Sequence, residues 1–143
     1  MFIFVVIICR STFVFSYNSN LEEAKKIEDA HNGVASIQLN LIDEDAVKNC
    51  IAKISKDHNG INTVVNAAGF NIPQKYISEI TPDLWRKVID EDVNGFFNIV
   101  SASLPHMRAT KGSYVFISSA GLFKYPPGDV LSVAPKATIE HTM

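Results

Sequence analysis

Two rhythms alternate along the chain. Short runs rich in Val, Ile, Phe and Tyr give way to longer stretches in which apolar residues recur every three or four positions, the spacing of a helix with one buried face. Thr12–Tyr17 reads as a strand closed by the polar turn Asn18-Ser19-Asn20. Asn20, with Glu23 three residues on, resembles a capping box that opens a helix over residues 21–31, with Leu21, Ala24 and Ile27 inward. Asn32-Gly33 stops it, and residues 35–39 form a second strand. Residues 43–58 form a helix whose Ala46, Val47, Cys50, Ile51 and Ile54 share one face. After Asn59-Gly60, a third strand over 61–65 runs into Asn66-Ala67-Ala68-Gly69.

Thr81-Pro82-Asp83 is a helix start, with a capping hydroxyl, a proline in the first turn and an acid at the positive end of the dipole. Leu84, Trp85, Val88 and Ile89 are expected inward. A long apolar helix covers residues 96–108, opening at Phe96 and ending near Arg108, and Lys111-Gly112 turns the chain into a strand over 113–117. Strands and helices alternating at these lengths predict an α/β fold, a doubly wound parallel sheet covered on both faces.

The apolar run over residues 2–8 is far shorter than the roughly 20 residues of a membrane span. It lacks the charge and cleavage pattern of a signal peptide. Residues 1–11 are read as an apolar stub or strand, with membrane association through this run as the alternative, and residues 12–143 as the domain. Only Cys9, Arg10 and Ser11 separate the run from the next strand, whereas a parallel crossover needs a dozen or more residues. The run therefore cannot serve as a parallel neighbour of that strand.

With 143 residues and 47% hydrophobic content, the chain can build one core. A net charge of −2 with scattered signs excludes a nucleic-acid footprint. Cys9 and Cys50 are read as reduced thiols, which suits a cytoplasmic setting. The four histidines share no ligand spacing, so no metal site is expected.

The candidate chemistry lies at Asn66-Ala67-Ala68-Gly69 after a strand, Asn94 nine residues beyond Trp85, Ser119 at the end of the last strand, and Ser132 four residues before Lys136. Ser119 and Ser132 stand thirteen residues apart. In order and spacing these features resemble the short-chain dehydrogenase/reductase family, whose signature is a serine followed thirteen residues on by Tyr-x-x-x-Lys. The resemblance runs from Thr12 to the last residue and covers somewhat over the middle half of a full family member. It implies a Rossmann-like sheet and NAD(P)-dependent interconversion of an alcohol and a carbonyl compound. Carried over by position, Ser119 orients the substrate oxygen, Lys136 lowers the pKa of the proton-carrying residue and binds the nicotinamide ribose, and Asn94 holds a relay water. Ser16, Asn18, Asn40, Leu41 and the 66–69 segment would line the adenosine side of NADP(H) or NAD(H). The missing ribose-binding acid after the second strand leans toward NADP(H). The helix over 96–108 and the Lys136 helix would build an interface with another copy or a relative.

Three departures stand out. Ser132 occupies the tyrosine position, and its hydroxyl is shorter and far less acidic than a phenol. Pro135 falls inside the lysine helix. The first glycine in the chain is Gly33, so the glycine loop of the family, with its first strand and first helix, is missing. The expectation is an incomplete Rossmann-like sheet with four family strands, two unpaired edges where the first strand should lie, poor solubility as a result, and little dehydrogenase activity. A non-catalytic binding or subunit protein, or an incomplete gene model, is the alternative.

Overall fold

In the computed structural model, which describes residues 5–9, 12–69 and 74–143, five strands and six helices alternate. The chain runs β1 (Val5–Cys9), β2 (Thr12–Tyr17), α1 (Leu21–Ala30), β3 (Val34–Gln38), α2 (Glu44–Asp57) and β4 (Thr63–Asn66). After a short 3-10 turn (Ile77–Glu79) come α3 (Pro82–Val88), a π turn (Ile89–Asn94) and α4 (Gly95–Thr110), then β5 (Ser113–Phe116), α5 (Gly121–Lys124) and α6 (Val130–Thr142). The Asn20 and Thr81 caps are those the sequence specifies, and Asp43, read as the first residue of its helix, also serves as a cap. Asn20, Asp43 and Thr81 accept the amide protons of Glu23, Ala46 and Leu84 through their side chains, satisfying first-turn donors that have no partner within the helix.

The sheet order is β3-β2-β1-β4-β5. β2 pairs with β3 and β4 with β5 in parallel, as the alternating pattern requires. Between β2 and β4 lies β1, antiparallel to both, with Ile7 opposite Val14 on one side and Val64 on the other. This corrects the expected pair of open edges. A tight connection cannot return the chain in parallel but can close a hairpin, so the apolar run enters the gap in the reverse direction and satisfies both ladders. The argument for poor solubility loses this premise. Residues 2–4 of the run lie outside the described residues.

One face of the sheet packs on α2 and α4. Its core joins Val5, Ile7, Cys9, Val14 and Val64 to Val47, Ile51, Ile54, Ile99 and Met107. The opposite face is covered by α1 at β3, and farther along it Phe13 and Val115 are 45% and 46% exposed. Two inward assignments are corrected: Leu21 and Trp85 are exposed. Both sit in the first turn or two of a helix, where a local wheel does not reveal which neighbours arrive.

Candidate active site

The carboxyl ends of β2, β4 and β5 gather the candidate residues on one edge of the sheet. This is where ligands bind in open α/β folds. Asn66 closes β4 and is buried, with no hydrogen-bond partner for its Oδ1. Beyond it, Ala68 is buried and its carbonyl accepts a 2.7 Å hydrogen bond from Lys136 Nζ. This contact joins two motifs separated by 68 positions. Gly69 permits it, because a Cβ there would stand 3.3 Å from the same Nζ.

Lys136 is half-buried on α6, and burial pushes its pKa below the usual lysine value while the Asp92 carboxylate opposes the shift. Pro135, beside it, is fully buried within α6, and the helix continues through it. Ser132 lies one turn earlier and is exposed, its amide donating to the carbonyl of Asp129. Ser119 follows β5, and its Oγ accepts the Gly121 amide proton at 3.1 Å. Ser118 donates instead to the Glu140 carboxylate at 2.8 Å, tying the same loop to α6.

Asn94 takes no part in this cluster. It is exposed and donates from Nδ2 to Asp90 Oδ1 at 2.8 Å, one turn back on the π turn. The residue of that turn facing inward is Asp92, 7% exposed. The sequence carried the signal: Val88, Asp92, Phe96 and Ile99 fall at four- and three-residue steps on one buried stripe. Gly95 N–H bonds to Asp90 O, five residues back, and this widened turn rotates Asn94 outward.

The adenosine-side residues are partly engaged within the protein. Ser16 is buried and its Oγ accepts the Val5 amide proton at 3.1 Å. Leu41 is buried, and its carbonyl accepts a hydrogen bond from Asn98 of α4 at 2.9 Å. Asn40 is exposed, and its Oδ1 accepts the Ile42 amide proton at 3.3 Å. Asn18 and Asn40 line a shallow hollow with Leu39, Leu41, Ile42 and Glu91. Ala67 is exposed at the same sheet edge.

A mixed α/β sheet with a lysine reaching across the carboxyl end of a parallel strand has the architecture of the dinucleotide-binding class. The chain belongs to the short-chain dehydrogenase/reductase family, matching over residues 11–143 the family model described as Enoyl-(Acyl carrier protein) reductase. An uncharacterized oxidoreductase of Saccharomyces cerevisiae is 26% identical over 133 residues, 92% of this chain and 52% of that protein. Its crystal structure, described as a short chain dehydrogenases/reductase, superposes with a TM-score of 0.79 at 23% identity over 90% of this chain and 50% of that one. The 3-oxoacyl-[acyl-carrier-protein] reductase of Staphylococcus aureus is 30% identical, over 87% of this chain and 52% of its own length. An NAD+-bound xylitol dehydrogenase superposes with a TM-score of 0.79 at 21% identity, over 86% and 49% of the two chains. The chain thus spans about half the length of the curated relatives it matches.

Proposed function

We propose that this chain carries the scaffold of an NAD(P)-linked oxidoreductase interconverting small alcohols and carbonyl compounds, with its proton-transfer and phosphate-binding parts impaired as the chain is written. The observation that carries the lineage is the 2.7 Å bond from Lys136 Nζ to the Ala68 carbonyl. It supports reading Lys136 as the lysine of a reaction segment, since the side chain reaches the segment expected beside the nucleotide ribose. Ser119 would orient a substrate oxygen on the α6 side. The cofactor would be NADP(H) or NAD(H), and it would supply or accept the hydride.

The described residues do not fit the pyrophosphate of such a cofactor. That group needs a glycine turn leading from a parallel strand into a helix N-terminus. Here the central strand β1 runs the other way, so the sheet edge carrying the candidate residues receives the start of that strand. Ser16 Oγ is held by the Val5 amide at this edge. At Ser132 an aliphatic hydroxyl stands where a phenol would pass the proton, and the loss of a positioned acid/base group lowers rates by about 10²- to 10⁴-fold.

The test is equilibrium dialysis of the purified chain with NADPH and NADH, followed by nicotinamide absorbance with a panel of aldehydes and ketones. The expected result is no saturable binding and no turnover. Saturable binding with turnover overturns the impairment. A second reading, a non-catalytic subunit that pairs with a full-length relative through α4 and α6, is favoured by Phe97, which stands 57% exposed on α4. Co-expression with such a relative and size-exclusion chromatography distinguishes it, a mixed species supporting pairing and separate elution opposing it.

A further inference from the structure

Between residues 75–77 and the segment over 125–134 lies a hollow of about 350 Å³, within the size range of small-molecule sites. Tyr76, Ile77, Tyr125, Pro126, Val130 and Val133 give it apolar walls, and Lys75 and Asp129 are its charged lining residues. A 2.8 Å hydrogen bond from the Lys75 amide to the Gly128 carbonyl pins its two sides together. The hollow adjoins Ser119 through Gly121. A Cβ on that glycine would stand 2.6 Å from Val133 Cγ2, 3.1 Å from Ser119 Oγ and 3.2 Å from Asp129 Oδ2. The bare backbone at Gly121 thus lets the α6 wall close on the Ser119 hydroxyl. At the rim, Tyr125 ends α5 with φ 48° and ψ 53°, a left-handed position that helices usually give to glycine because a Cβ there is strained. Its ring is also 82% exposed, so the side chain gains little packing in return. Both costs fall at the edge of an apolar hollow, beside an exposed Tyr76 and Ile77, and strained positions of this kind cluster at ligand clamps.

We propose that this hollow binds a small apolar ketone or aldehyde, with the Tyr125 ring packing against its apolar part, and that it rejects polyhydroxylated carbonyl compounds. The inference rests on the oxidoreductase reading, in which Ser119 would orient the substrate oxygen. Apolar walls favour a ring or an alkyl group by removing its surface from water. They offer few partners to hydroxyl groups, and each hydroxyl buried without a partner is penalised. The left-handed Tyr125 then has a use: its ring supplies apolar contact at a position where glycine would be less strained but would leave the rim open.

The probes are acetophenone and dihydroxyacetone, followed by NMR through the backbone amides of the chain. No cofactor is added, so the outcome is independent of nucleotide binding and of turnover. Acetophenone is expected to saturate with a dissociation constant on the order of 1 mM, moving amides at 75–77 and 125–134, and dihydroxyacetone to leave them in place. Tyr125→Gly is expected to weaken acetophenone about tenfold, while its thermal denaturation midpoint stays level or rises because the strain is relieved. Tyr125→Phe keeps the ring and is expected to bind as the unmodified chain does. Equal responses to the two ketones, shifts confined to other parts of the chain, or unchanged acetophenone binding in Tyr125→Gly overturn the proposal. So does a lower midpoint in Tyr125→Gly, or loss of binding in Tyr125→Phe. Ser119→Ala separates the two readings: undiminished acetophenone binding there supports the hollow and counts against the orienting role of Ser119, and weakened binding supports both.

Discussion

Replacing Ile7 by Ala tests whether the reversed strand is part of the folded core. Ile7 is 3% exposed, flanked by Val14 on one side and Val64 on the other, and belongs to the cluster shared with α2 and α4. The substitution removes about three methylene-sized groups, at ~0.8 kcal/mol each for lost burial. The unfilled space adds to this, since β2 and β4 flank the position and α2 and α4 cover it, limiting collapse and giving about 3–4 kcal/mol in total. The neighbouring position behaves differently. Ile8 points to the other face and is only partly buried, so Ile8→Ala is expected to cost about half as much. Leu21→Ala, at a residue 48% exposed on α1, should cost less than about 0.5 kcal/mol. Urea denaturation followed by far-ultraviolet circular dichroism measures all three. If Ile7→Ala destabilises no more than Leu21→Ala, residues 5–9 are a loosely attached stub and the account of the closed central gap is wrong.

Two further outcomes follow from the packing and the buried charge. Gly112→Ala would place a Cβ 2.6 Å from the Asn62 carbonyl oxygen and 2.8 Å from Met107 Cε, so a loss of about 1–3 kcal/mol is expected in the same denaturation assay, and an unchanged midpoint would show that this turn can yield. For Lys136, burial holds the folded pKa below 10.5, so in the window just below that value the unfolded chain binds more protons and this residue's contribution to stability rises with pH. Lys136→Met should remove that rise, visible as the difference between the stability–pH curves of the two proteins, which also cancels the opposing effect of the buried Cys9 and Cys50 thiols. A difference curve flat across this window contradicts the shift.

Local pattern alone located most elements of the fold. The Asn20 and Thr81 caps, the buried stripe of α2 and the β-branched strands depend on neighbours within a turn or two, and such interactions are written in short stretches of sequence. The pairing of Ser119, Ser132 and Lys136 spacing with the Asn66–Gly69 turn likewise pointed to one sheet edge and one family, because residues at the ends of successive strands of a parallel sheet are brought together by topology. Two matters needed the tertiary structure. The direction and place of β1 were decided by the unpaired ladders of β2 and β4, strands separated by over forty residues in sequence, whose backbone donors and acceptors had to be satisfied once buried. The outward turn of Asn94 was decided by a π turn that leaves Asp92, and not Asn94, on the buried stripe. Spacing counted along the chain does not register the first effect, which arises from contacts between segments far apart in the sequence. The second shows in the sequence only as the stripe of Val88, Asp92, Phe96 and Ile99, without the widened turn itself.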